Sequence, residues 1–233
     1  MMITIRRSGA RGRSQLDWLD SRHTFSFSNY HDPDHMGYSV LRVINEDRIA
    51  PAAGFGSHSH RDMEIISYVL DGGLEHKDSL GNGSVIRPGE VQRMSAGTGI
   101  THSEYNASKT EPMHFLQIWI LPAVTGIVPS YEQRRFDDRN DSGQWQLLVS
   151  PDGREGSLTL NQNAFMYIAR LRRGEAMNHA LAADRQTLLH VARGEAVLSG
   201  HIIVAGDSAM INDEEAINLS TDESAEVLMF DLP

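Results

Sequence analysis

The chain contains no cysteine. That absence excludes disulfides, thiolate metal ligands and cysteine nucleophiles, so any metal here must be held by nitrogen and oxygen. No apolar run is long enough to span a bilayer, and the opening stretch "MMITIRRSGARGRSQLDW" lacks the apolar segment of a secretion signal. The expectation is a cytoplasmic protein with no membrane partner. Arg6, Arg7, Arg11 and Arg13, which precede the first acid Asp17, are assigned to a basic first strand and loop. Basic charge is otherwise scarce: 21 Lys and Arg against 31 Asp and Glu leave a formal charge of −10. That balance argues against direct binding to nucleic acid, whose backbone needs a basic surface. Sustained apolar periodicity of 3.6 residues is missing as well, which argues against a helical fold.

What is present has the texture of strands. Short β-branched runs such as "YSVLRVI", "EIISYVL", "LQIWIL", "LLVS" and "EVLMFDL" alternate with Gly, Pro, Asn and Asp. "DSLGNGSV" (78–85) reads as a hairpin, with glycine supplying the positive φ of a tight turn. "DRNDSGQ" (138–144) is an apolar-free candidate connector. "YVLDGGLEH…IRPGEVQRM" in the first half has an echo in "HVARGEAVL…IVAGDSAMI" in the second. Two similar β-domains in tandem account for 233 residues economically, with a boundary near Tyr131 that gives domains of 1–130 and 131–233. The expected fold class is all-β.

"GFGSHSHRDMEIISYVLDG" (54–72) places His58 and His60 two residues apart, with Glu64 following at the same parity. On a strand, residues two apart stand side by side on one face. "AGTGITHSEYN" (96–106) repeats the spacing with His102 and Glu104. Three imidazoles and a carboxylate form a mixed donor set suited to one divalent first-row ion, with iron, copper, nickel, manganese, cobalt and zinc all accommodated. Four protein ligands leave two positions of an octahedral ion free, the arrangement of a catalytic rather than a closed structural site. Gly54 and Gly56 before one pair, and Gly97 and Gly99 before the other, let the backbone close around an ion.

"HSHRDME" with Gly72 resembles the first cupin motif, and "GEVQRMSAGTGITHSEYN" (89–106) resembles the second, ending in His102 and Asn106. The closer resemblance is to the pirin family of bicupins. It is carried by "WLDSRHTFSFSNYHDPDHMGYSVLRVINED" (18–47), "GFGSHSHRDMEIISYVLDGGLEHKDSLGN" (54–82), "LQIWILP" (116–122) and "YEQRRF" (131–136). The resemblance implies two antiparallel, jelly-roll-like β-barrels packed face to face, with metal in the N-terminal one only. It implies the ligands His58, His60, His102 and Glu104, and iron as the first choice of metal. Glu64, the ordinary cupin ligand position, is then expected behind the ligands, orienting a coordinating histidine through its other ring nitrogen. The second half offers "MNHALA" and "INDEEAIN" where the first has "SHSH" and "HSE", so His179 is not expected to mark a second metal site.

Bacterial pirins of this type resemble quercetinases. The implied activity is a metal-dependent dioxygenase opening a flavonol, or another enolisable phenol, with O2 and releasing carbon monoxide. Glu104 would serve as general base. The alternative is a non-enzymatic, metal-containing regulatory protein acting through protein–protein contacts; a zinc-dependent isomerase is a third reading. The chain is expected to be a monomer. His76 is placed at the pocket mouth or bonded to its turn, while Phe25, Phe27 and Tyr30 are assigned to packing. His23, His31 and His35 share that aromatic-rich segment, and His114, His190 and His201 are assigned structural roles.

Overall fold

A computed structural model describes residues 2–136 and 143–233. The described residues are almost entirely strand, with two single-turn 3-10 helices at Ser8–Ala10 and Arg154–Gly156. The all-β expectation holds. The connector expected at 138–144 lies outside the described residues as far as Ser142. The described chain divides into two compact units, one formed by 12–136 with 158–162, the other by 2–11, 143–157 and 163–233.

The first twelve strands are β1 (Met2–Arg6), β2 (Gly12–Leu16), β3 (Leu19–His23), β4 (Leu41–Ile49), β5 (Gly54–His60) and β6 (Glu64–Asp71), followed by β7 (Leu74–Asp78), β8 (Gly83–Ile86), β9 (Glu90–Ser95), β10 (Ile100–Asn106), β11 (Met113–Ile120) and β12 (Ser130–Arg135). In the unit that holds β2 to β12, seven strands pair in the order β12-β9-β6-β11-β4-β3-β2, and four in the order β5-β10-β7-β8. These are open, cupin-like sheets rather than hydrogen-bonded closed barrels. In the other unit, β1 pairs antiparallel with Ser208–Asn212. The sheet then continues through Gln186–Leu198, Ala225–Leu232, Phe165–Leu171 and Trp145–Ser150. Its core gathers Leu189, Val191, Ile211, Val227 and Met229.

The inward face of the first unit alternates in a telling way. Along β6 the inward residues are Ile65, Ser67 and Val69; along β11 they are Phe115, Gln117 and Trp119. Ile65, Met94, Ala96 and Ile100 form one apolar cluster, and Leu19, Ile49, Val69, Leu74, Ile86, Met113 and Phe115 another. Between them runs a buried polar belt that includes Ser67, His76, Gln92, His102, Glu104 and Gln117. An apolar side chain buried in place of each belt residue would stabilise the unit by about 1.5–3 kcal/mol. A hydrogen-bonded polar one contributes only about 0.5–1.5 kcal/mol. The belt is therefore placed for chemistry, at a cost to packing.

Candidate metal centre

β5 and β10 run antiparallel with His58 opposite His102 and His60 opposite Ile100. Directly opposed residues share a face, so the two histidine-bearing stretches aim at one point. The register slips between His102 and Glu104, where Glu104 faces Phe55 instead of Gly56. This bulge adds one residue to β5 and re-aims the ligand pair. Ring nitrogens of His58, His60 and His102, one from each, lie within 4.8 Å of one another. Glu104 Oε2 stands 4.0 Å from His102 Nε2.

The proton positions follow from the partners. His58 Nδ1 lies 2.8 Å from the Gly56 carbonyl; a carbonyl only accepts, so Nδ1 carries the hydrogen and Nε2 is a bare lone pair. His58 Nε2 sits 3.0 Å from His102 Nε2. Two imidazole nitrogens each about 2.0–2.1 Å from one ion at adjacent positions would be spaced about 3 Å apart. The donor set and this spacing fit a divalent first-row ion. Burial, followed by the neighbouring His58, pushes His60 down to about 4. Burial and then His58, His60 and His76 push His102 down to about 2. Neutral imidazole is the form a metal needs.

Glu104 is buried, and desolvation raises it to about 7 against the opposing hydrogen bonds of Gln117 and Ser67. Gln117 Nε2 donates to both carboxylate oxygens at 2.9 Å. Asp47, whose hydroxyl donor is Ser21, is likewise raised by burial to about 7, with Glu104 and Glu46 adding to the shift. The histidine side of the site is more open: His58 and His60 are partly exposed, whereas His102 and Glu104 are buried. Trp119 meets the His60 ring edge-on at 4.9 Å, and Phe27 meets Trp119 at 5.3 Å. Phe27 thus extends the wall of the site, while Phe25 is core.

Glu64 requires correction. The shared parity with His60 does not carry across, because β5 ends at His60 and the chain turns through Asp62 (φ 49°) before β6 begins. Within β6, Ser67 bonds to Gln117 and Glu104, so Glu64, three residues away, lies on the opposite face. Its carboxylate accepts from Ser95 Oγ at 2.9 Å, the Asn161 backbone N–H at 3.2 Å and Asn161 Nδ2 at 3.3 Å. Among the described residues it makes no hydrogen bond to a histidine.

The remaining histidines sort by partner. His23 bonds Asn45 at 2.8 Å, His114 bonds Glu46 at 2.9 Å, and His190 bonds Ser208 at 2.9 Å. His35 bonds Asp32, while His31 and His201 are exposed. His179 lies against Trp145 in the other unit. Of the two expectations for His76, the bond to its turn holds, with Nε2 3.0 Å from Asp78, and the pocket mouth does not, since the ring is fully buried 3.4 Å from His102. Ser67, Gln92 and Gln117 were missed by motif reading. Their signal was a polar residue at an inward position of an otherwise apolar strand.

The family described as Pirin matches residues 5–120, and a quercetinase C-terminal cupin domain matches 147–232. Quercetin 2,3-dioxygenase of Escherichia coli (strain K12) is 50% identical over 232 residues, covering 100% of this chain and 99% of that protein. A putative quercetin 2,3-dioxygenase of Mycobacterium tuberculosis is 44% identical, covering 99% and 95%. Among solved structures, YhhW from Escherichia coli superposes with a TM-score of 0.96 at 50% identity, covering 100% of this chain and 98% of that one. The same bacterial pirin in complex with nickel(II) gives 0.95 at 49% identity, covering 100% and 99%. Along its whole length, this chain belongs to the pirin family.

Proposed function

We propose that this chain is a quercetinase-type dioxygenase that opens the central ring of a flavonol with O2 and releases carbon monoxide. The observation that carries the reading is the convergence of three imidazoles with a buried carboxylate, in a chain 50% identical to a named quercetin 2,3-dioxygenase. His58, His60, His102 and Glu104 would hold the ion. Iron is our first choice and nickel the second; copper, manganese, cobalt and zinc suit the same donors. When bound, the ion supplies Lewis acidity that acidifies the flavonol 3-hydroxyl and, if redox-active, a path for electrons.

Glu104 accepts the 3-hydroxyl proton at a carboxylate oxygen. A carboxylate held beside the reacting hydroxyl can take its proton and return it later to the ring-opened product. Gln117, spanning both oxygens, fixes the direction in which the carboxylate presents its lone pairs. Trp119 and Phe27 wall the site and exclude water from the substrate anion. That anion reacts with O2; both ring bonds to the substrate's C3 break, and C3 leaves as carbon monoxide. In this reading the chain works as a cytoplasmic monomer on a soluble phenol, without a nucleic-acid or membrane partner. No helix among the described residues is long and apolar enough to cross a membrane. The test is metal analysis of fresh protein followed by quercetin assays with and without oxygen. Loss of the flavonol absorbance only in the metal-loaded, aerobic sample is expected; oxygen-independent or metal-independent loss would refute the assignment.

A further inference from the structure

Behind His102 stands an arrangement that the ligand set does not include. The register of β10 on β7 places Asp78 beside His102 and His76 beside Glu104. Asp78 closes the β7–β8 hairpin. Its Oδ1 accepts from the backbone N–H groups of Leu80 at 2.9 Å and Asn82 at 3.0 Å. Its Oδ2 accepts from Asn82 Nδ2 at 2.9 Å and from His76 Nε2 at 3.0 Å. A carboxylate so engaged only accepts, so the His76 proton is on Nε2 and its Nδ1 is a lone pair. Gln92 Nε2 donates to that lone pair at 3.2 Å. His102 Nδ1 approaches the same nitrogen at 3.4 Å, and a hydrogen on it shares that lone pair with Gln92. The His102 Nε2 lone pair is then left pointing at His58 and the centre. Tyr131 stacks on His76 with ring centroids 5.0 Å apart, its hydroxyl tied to Ser84 and Gln133, which holds the ring in place.

We infer that His76 is a positioning residue: anchored by Asp78, it fixes the tautomer and orientation of His102 and so sets how tightly the site holds its metal. A coordinating histidine ordinarily gives its other N–H directly to a carboxylate or carbonyl. Here a second imidazole is interposed, and the charge is held one residue further back, in the hairpin turn. His76 also falls within 4.8 Å of ligand atoms of His102 and Glu104, but both its nitrogens are engaged, so it stands behind a ligand and is not one. The inference rests on the reading of His58, His60, His102 and Glu104 as the ligand set.

The experiment measures cobalt(II) affinity by chelator competition and records proton NMR of the cobalt-loaded protein. In those spectra the Nδ1–H of each coordinating histidine gives a shifted, solvent-exchangeable resonance. His76→Phe keeps a ring for the Tyr131 stack but removes the acceptor. It should weaken binding about tenfold to a hundredfold and lose or broaden the His102 resonance alone. His76→Gln, whose side-chain carbonyl can accept, should recover most of the affinity. Unchanged affinity with all exchangeable resonances intact in His76→Phe would overturn the inference. Should that variant fail to fold, Asp78→Asn decides. Faster exchange of the His102 resonance with weaker binding supports the relay, and wild-type behaviour overturns it. If His102→Ala left cobalt affinity unchanged, the ligand assignment would fall, and the relay with it.

Discussion

At the scale of single residues, Glu104 lies beside His102, whereas Glu64, expected behind the histidines, bonds Ser95 and Asn161 instead. Glu104→Gln should retain metal through the three histidines while flavonol turnover falls by about two to four orders of magnitude. Glu64→Gln should leave metal affinity and turnover near wild type. It should instead cost stability of about 1–3 kcal/mol in denaturant unfolding, because one oxygen that accepts from Ser95 and Asn161 becomes a donor. The opposite pattern would restore the ordinary cupin ligand position. Glu104 also sets a pH dependence. Its ordinary value of 4.5 is raised to about 7, so across that window the folded, metal-free protein keeps a proton that the unfolded chain has released. Its contribution to stability, and that of Asp47 between 3.8 and about 7, therefore declines as pH rises. His60, lowered from 6.5 to about 4, acts in the opposite sense, favouring the fold more as pH rises through that range. Metal binding must expel the Glu104 proton below about 7. Calorimetry in buffers of different ionisation enthalpy at pH 6 should find one fewer proton released in Glu104→Gln than in wild type; equal release would show that Glu104 is already ionised.

At the scale of elements, the site depends on how closely β5 approaches β10. A Cβ on Gly54 would meet the Glu104 carbonyl oxygen at 2.3 Å and Tyr105 Cα at 2.5 Å, both backbone atoms that cannot step aside. Gly54→Ala should push the two strands apart beside the ligand pair and lower turnover on the order of a hundredfold, with a depressed melting temperature. Gly56 has only the Tyr105 hydroxyl, 3.8 Å away, so Gly56→Ala should be near wild type in both measurements. Equal effects at the two positions would deny the close approach its role. The strands, the hairpin at 78–85 and the meeting of the His58–His60 and His102–Glu104 pairs were legible because each follows from a local pattern. Glu64 was misread because parity was extended through the turn at Asp62, and no periodicity argument survives a residue with positive φ. The supporting residues were legible only as anomalies: Gln117 in "FLQIW" and Ser67 in "IISYV" interrupt strands whose other inward positions are apolar.

At the scale of the whole molecule, the units are unlike in chemistry while alike in being antiparallel β. Both clusters of three or more ligand-type side chains found among the described residues belong to the unit of β2 to β12. The other unit recruits β1 from the far end of the sequence, Ile3 opposite Ile211 and Ile5 opposite Ala209, with Arg7 bound to Asp207 at 2.8 Å. A pairing separated by some two hundred residues leaves no mark in local alternation, which is why it could not be read beforehand. A quercetinase-type centre inserts both atoms of O2 into its flavonol. A single turnover of metal-loaded protein with quercetin under ¹⁸O2, followed by mass spectrometry, tests it directly. Two labelled oxygens in the ring-opened ester, unlabelled carbon monoxide in equal amount, and neither product from protein stripped of metal are expected. One labelled oxygen, labelled carbon monoxide, or undiminished product from the stripped protein would contradict the quercetinase assignment.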